Sequence, residues 1–134
     1  MRNWLIARTQ SFRDRVVWQK ALVLARRAYK LAPLAPTAEA FAVLRKITQA
    51  AAAVSGNISE GQGRITDVQF QEFLEDARVA LYEMQSQLDW AGELGYLDQA
   101  LVDQMMQQGW ELARLINGLT LFLGRGFGRE LNEG

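Results

Sequence analysis

The helix-breaking residues leave this chain little choice of fold. Its only two prolines are Pro33 and Pro36, and most of its eleven glycines fall at 56–63, 92–95 and 124–134. Between these breaks lie four long pieces, and each repeats apolar residues every three or four positions, the period of a helix. The first piece, about 14–32, places Val17, Ala21, Leu24, Ala28 and Leu31 on one stripe, with Trp18, Leu22, Ala25 and Tyr29 beside it. That face is wider than a single helix contact uses, which suits a bundle whose outer surface also meets something.

The second piece starts after Thr37, an N-cap with Glu39 in the first turn, and carries Phe41, Leu44, Ile47, Ala51, Val54 and Ile58 around the run Ala50 to Ala53. The small alanines favour helix and let a neighbouring backbone approach closely. Thr66-Asp67-Val68-Gln69 has the capping-box form and opens the third piece, with Phe70, Phe73, Ala77, Leu81, Met84, Leu88 and Ala91 on one face. Gly95 is its expected left-handed stop. The fourth, about 98–123, alternates strictly through Val102, Met105, Gly109, Leu112, Ile116, Leu119 and Leu123, a bundle seam.

Helices of such length span roughly 28 to 43 Å at about 1.5 Å per residue. Their short connections force antiparallel neighbours. The expected fold is all-α, an antiparallel up-down-up-down four-helix bundle, as one domain over 1–134 with 1–11 as an N-terminal extension and 124–134 as a mobile tail. The 134 residues and 49% apolar content suffice for one core.

Cysteine and histidine are both absent. Disulfides, thiolate chemistry, Cys/His zinc sites, Ser-His-Asp triads and the Glu-x-x-His pairs of di-iron bundles are thereby excluded. An enzyme would have to rely on carboxylates such as Glu60, Glu83 or Glu111, and nothing in their spacing favours one. No cofactor is implied. The apolar stretch at Trp4-Leu5-Ile6 is too short for a signal-peptide core, and 112–123, interrupted by Arg114 and Asn117, is too short to span a membrane. The expectation is a soluble cytoplasmic protein.

Net charge is zero, yet it is divided unevenly along the chain. Residues 1–46 hold ten basic groups against Asp14 and Glu39, or +8, and residues 47–134 hold five basic against thirteen acidic, or −8. In an antiparallel bundle the first two helices are neighbours, so one side is basic and the other acidic. Such a side can bind phosphate, contact another subunit, or be neutralised across the helix interfaces. Twelve of the fifteen cations are arginine, the residue suited to bidentate pairing with phosphate or carboxylate. Arg26, Arg27, Lys30, Arg45 and Lys46 form the candidate nucleic-acid-binding set. Trp4, Trp90, Trp110 and Tyr96 could stack on bases, or equally serve core and subunit contacts.

The segment Asn57-Ile58-Ser59-Glu60-Gly61-Gln62-Gly63-Arg64 is placed at the turn between helices two and three. Glu60 near a helix C-terminus opposes the macrodipole, so it needs a partner, either Arg64 or a cation of helix one. Structural bracing is the expected role.

These residues resemble those of the bacterial four-helix bundle proteins encoded in intervening sequences of large-subunit ribosomal RNA genes. The likeness spans 12–123 and rests on Phe12, Val17-Trp18-Gln19-Lys20-Ala21, Tyr29, Glu39 and Phe41. Its strongest part is Asn57-Ile58-Ser59-Glu60-Gly61 with Gly63-Arg64, followed by Phe70, Phe73-Leu74, Ala77, Glu83 and Glu93-Leu94-Gly95-Tyr96-Leu97. Trp18, Asn57, Glu60, Gly61, Gly63, Arg64 and Glu83 are its structural motif positions.

The resemblance implies a non-enzymatic bundle forming a ring-like homo-oligomer, commonly a pentamer with a central channel, and binding RNA or DNA. A related branch is similar to the accessory variability determinants of diversity-generating retroelements, basic pentamers that bind a reverse transcriptase and its template RNA. By that likeness a second role is open, a protein-interaction subunit without direct nucleic-acid contact. The chain departs from the family at Thr48 and Gln49, where an arginine pair is usual, and at Ala53, Val79 and Ala80, where Ser and Gly are common. Arg45 and Lys46 lie one helical turn before the missing pair.

Overall fold

The computed structural model describes residues 11–64 and 66–133, with side chains to residue 124. Helix α1 is Phe12–Tyr29, α2 Ala38–Gln62, α3 Asp67–Glu93 and α4 Gln99–Glu133, with a short 3-10 turn at Ala32–Leu34. Among the described residues there is no strand.

Three of the local signals act as expected. The Thr37 hydroxyl accepts the Ala40 N–H at 3.1 Å. Thr66 and Gln69 form a reciprocal capping box, Thr66 accepting from the Gln69 N–H and Gln69 from the Thr66 N–H. Gly95 has φ +76°, where a side chain would be strained, and it stops the chain after α3.

Helix bounds differ from the sequence reading at both ends of the chain. Helix α1 starts earlier because Ser11 caps it, accepting the Asp14 N–H at 3.2 Å, and it ends at Tyr29 ahead of Pro33. Helix α2 runs through Gly56 and Gly61 to Gln62, so Asn57 to Gln62 are its last turns and not a loop. Helix α4 continues to Glu133, past the expected end near 123. Of the expected tail 124–134, residues 124–133 form the last turns of α4, while its side chains beyond 124, Trp4 and residues 1–10 of the expected extension 1–11 lie outside the described residues.

Cross-helix bonds establish direction. The Gln62 amide donates to the Asp14 carbonyl at 3.1 Å, while the Thr48 hydroxyl donates to the Ala28 carbonyl at 2.9 Å, so α1 and α2 run oppositely. Gln71 reaches the Thr120 carbonyl and Gln85 the Met106 carbonyl, which reverses α4 on α3. Arg27 meets Gln108 and Lys20 meets Glu111, reversing α4 on α1. Contacts join α1 to α2, α2 to α3, α3 to α4 and α4 back to α1, closing a four-helix bundle.

The predicted stripes form the core. Val17, Ala21, Leu24 and Ala28 of α1 face Leu44, Ile47 and Ile58 of α2, Phe70, Leu81 and Met84 of α3, and Met105, Leu112 and Ile116 of α4, all buried. Phe41, expected on the inward stripe of α2, is 45% exposed, and Tyr29, from the second α1 stripe, is 71% exposed. Trp18, Leu22 and Ala25 of that stripe are half-buried.

Two polar side chains are buried among the described residues, Asp14, which accepts from the Ser11 hydroxyl, and Gln85. The Gln85 side chain is 4% exposed, its amide N–H reaches the Met106 carbonyl only at 3.4 Å, and its Oε1 has no hydrogen-bond partner. Gly109 makes room for it, since a Cβ there would lie 2.7 Å from the Gln85 Nε2. An unsatisfied buried carbonyl costs about 1–3 kcal/mol. Gln85→Met fills similar volume without it and should raise the urea midpoint, by about 1 kcal/mol in stability. A lowered midpoint would show that the amide contributes more than its geometry implies.

Candidate nucleic-acid interface

The outer side of the α1–α2 pair carries a groove. On α2 the residues Phe41, Arg45, Thr48, Ala52 and Ser55 recur at steps of four and three, which puts them on one helix face. Leu22, Ala25, Arg26 and Tyr29 supply the opposing wall on α1, with Lys30 one turn beyond Arg26. Two hollows of about 330 and 260 Å³ share Tyr29 and Thr48, so they form one trough. Its floor is made of small side chains, which is why it stays open.

Three of the five candidate cations line this trough, Arg26 and Lys30 in one hollow and Arg45 in the other. All three are exposed, and among the described residues none has an ion pair or a side-chain hydrogen bond. The helix dipole favours a cation where Arg26 and Arg27 stand, in the last turn of α1. Lys30, one turn from Arg26, adds like-charge repulsion that the helix alone does not explain. Arg27 points elsewhere. Its guanidinium donates to Gln108 Oε1 at 2.7 Å and to Gln104 Oε1 at 3.1 Å across the α1–α4 seam. Lys46 is exposed on α2 but does not line the trough.

An ion pair joins the basic half to the acidic half, Lys20 to Glu111 at 2.5 Å. The hydrogen bond from Lys20, then its charge, holds the Glu111 carboxyl below the usual carboxylate range, and the Arg114 charge adds to this. With the folded pKa lowered, the pair's contribution is full above the ordinary carboxylate range and is lost as pH falls through the lowered value. Lys20→Met should therefore move the Glu111 titration upward, followed by carboxyl NMR. An unmoved titration would mean that the pair does not persist.

The motif around Glu60 is a structural corner. The Asn57 amide donates to the Ala53 carbonyl at 2.8 Å, and Arg64 pairs with Glu60 at 3.1 Å while its guanidinium lies 4.7 Å over the Phe73 ring. Gly61 sits against Phe70, where a Cβ would be 2.5 Å from the ring. Gly63 is the C-cap of α2. Bracing by Arg64 is the arrangement expected from the sequence. Trp18 packs against the core, and Glu83 is exposed.

The aromatic candidates divide differently from the expectation. Trp90 and Trp110 are exposed, but on the acidic α3 and α4, where Trp110 and Tyr82 stack at 6.3 Å between ring centroids and Val79 is exposed nearby in sequence. Tyr96 is half-buried against the core. The aromatic rings beside the cations are Tyr29 and Phe41, which the sequence reading assigned to apolar stripes. For Tyr29 the extra width of the α1 face was a signal, and for Phe41 on α2 there was none.

Among the described residues no three acidic side chains are placed to hold a metal ion, and no helix is long and apolar enough to cross a membrane. The crystal structure of a protein of unknown function from the S23 ribosomal protein family of Bacteroides thetaiotaomicron superposes with a TM-score of 0.76 at 19% identity. That match covers 81% of this chain and 98% of the other, and at such identity it speaks for the fold. No curated protein matches the chain. The family model described as 23S rRNA-intervening sequence protein matches residues 13–118, most of the chain. With that match over a bundle of four helices, the chain belongs to the 23S rRNA-intervening sequence protein family.

Proposed function

We propose that this protein is a non-enzymatic, homo-oligomeric bundle scaffold that binds nucleic acid through the basic side of α1 and α2. The observation that carries the reading is the convergence around one trough of Arg26, Lys30 and Arg45, all exposed and without an ion pair among the described residues. Unpaired cations gathered on one surface are the electrostatic footprint of phosphate binding. Arg27 serves the α1–α4 seam in this reading, and Lys46 adds to the field from the same side.

The exposed apolar residues Val79, Tyr82, Trp90 and Trp110 support self-association through the opposite side, because large exposed aromatics mark protein contacts. A closed ring, five-fold by the resemblance noted from the sequence, uses one such heterologous contact repeatedly. Sedimentation velocity checks it, and a monomer at working concentration would remove that part of the proposal.

The deciding experiment is binding of the purified protein to labelled RNA and DNA across a salt series, with Arg26, Lys30 and Arg45 reversed to Glu as control. Binding that weakens with salt and disappears on reversal supports the reading. Absence of binding at moderate salt would assign the cations to an acidic protein surface, as in an accessory subunit of a reverse transcriptase.

A further inference from the structure

We infer that the α1–α2 trough takes an unpaired oligonucleotide strand, with the rings of Tyr29 and Phe41 as stacking platforms for its bases and Arg26, Lys30 and Arg45 on its phosphates. This rests on the nucleic-acid reading above and adds which form of nucleic acid is bound.

Charge complementarity selects a polyanion, and the rings select its form. In a duplex the base faces are covered by their neighbours, leaving phosphates and base edges outside, whereas an unpaired strand offers a free face to any aromatic ring. Tyr29 is 71% exposed where the two hollows meet, and Phe41 is 45% exposed at the far end beside Arg45. Neither ring belongs to the core cluster or to the half-buried apolar side chains packed against it. Cations alternating with exposed rings along one channel are the arrangement that single-strand binding uses.

The floor determines selectivity. The Thr48 hydroxyl donates to the Ala28 carbonyl at 2.9 Å and the Ser55 hydroxyl to the Ala52 carbonyl at 3.1 Å, so both protons are engaged on backbone carbonyls. Ala25 and Ala52 contribute only methyl groups. The floor thus offers a base methyls and no free hydroxyl proton, and with stacking as the main contact binding tolerates any sequence. From Phe41 to Ser55 the trough follows α2 for about 21 Å, room for roughly six nucleotides at a stacked spacing of about 3.4 Å.

The test uses fluorescein-labelled strands of about twelve nucleotides, as oligo-U, oligo-dT and mixed sequence, beside a mixed-sequence duplex of the same length, all at low salt. Wild-type protein should bind the single strands about tenfold or more tighter than the duplex, with little dependence on sequence. Tyr29→Leu and Phe41→Leu should each weaken single-strand binding by about tenfold, leaving the salt slope unchanged, and Tyr29→Phe should retain it. The ratio of oligo-U to oligo-dT affinity shows which backbone is preferred.

Equal binding of duplex and single strand, unaffected by the leucine substitutions, would overturn the stacking proposal and leave phosphate binding standing. No binding by the wild type to any strand or duplex would overturn both. A change in sedimentation coefficient with either leucine variant would assign the trough to a second copy of the chain and overturn the proposal as well.

Discussion

Phe70→Ala lowers the unfolding free energy by about 3–5 kcal/mol, the usual effect of emptying a fully buried aromatic site. Phe70 is wholly buried where α3 begins, and its ring lies against Gly61 in the closing turns of α2. A Cβ at 61 would stand 2.5 Å from the Phe70 Cδ1 and 2.9 Å from the Phe73 Cβ. Gly61→Ala gains about 1 kcal/mol of helix propensity, but overpacking of about 1–3 kcal/mol outweighs it. The double variant is the decisive one. With the Phe70 ring gone, the new methyl has space on one side, so the pair together should cost about 1 kcal/mol less than the sum of the singles. Urea midpoints at one protein concentration measure the cycle, the fixed concentration being needed because assembly stabilises folded chains by mass action. Strict additivity would mean that α2 and α3 do not meet at this point.

Reversing Arg26, Lys30 and Arg45 to Glu should weaken RNA binding more than about a hundredfold, because three attractions become three repulsions. Salt gives the same information without mutation. For three neutralised phosphates on a single strand the slope of log affinity against log salt is about −2.1, so a fourfold rise in salt weakens binding roughly eighteenfold. Arg27→Gln should leave that slope unchanged, since the Arg27 guanidinium is spent on Gln104 and Gln108. Equal loss of affinity from Arg27→Gln and from Arg45→Gln would overturn the division of the cations into trough and seam. Anisotropy titrations at several salt concentrations decide the matter.

What was legible in the sequence was local or periodic. Thr37, Thr66 and Gly95 act through their own backbone neighbourhood, so their roles follow from residue type alone. The core followed from spacing, as with Val102 through Leu123 in α4, all buried. Glycines inside helices misled. A glycine costs a helix only about 1 kcal/mol, which packing overrides, and Gly61 against Phe70 and Gly109 against Gln85 are there because another side chain needs the space. That need belongs to the partner helix and cannot be read locally.

The candidate site was legible as a charge pattern but not as a surface. Arg26 and Arg27 are adjacent in sequence, yet one helical step of about 100° sends one to the trough and the other to α4. Tyr29 belongs to the stripe whose extra width suited an outward contact, whereas Phe41 sits at an apolar position of the α2 stripe, and only the placement of α2 beside α1 shows that it faces outward. The zero net charge concealed the rest, since it does not show that Lys20 is spent on Glu111 while Arg26, Lys30 and Arg45 line the trough.

The polar seam between α1 and α4 also bears on how the molecule breathes. Contact between α2 and α3 is the most extensive of the four helix pairings, while α1 meets α4 least and does so in part through Arg27, Lys20 and their glutamine and glutamate partners. Local opening follows the least buried contact, and segments that share few apolar contacts open well below the global unfolding free energy. Amide protons of α1 therefore exchange with deuterated solvent before those of α2 and α3, and the helix that carries half of the trough is the one that can lift away while the rest stays folded.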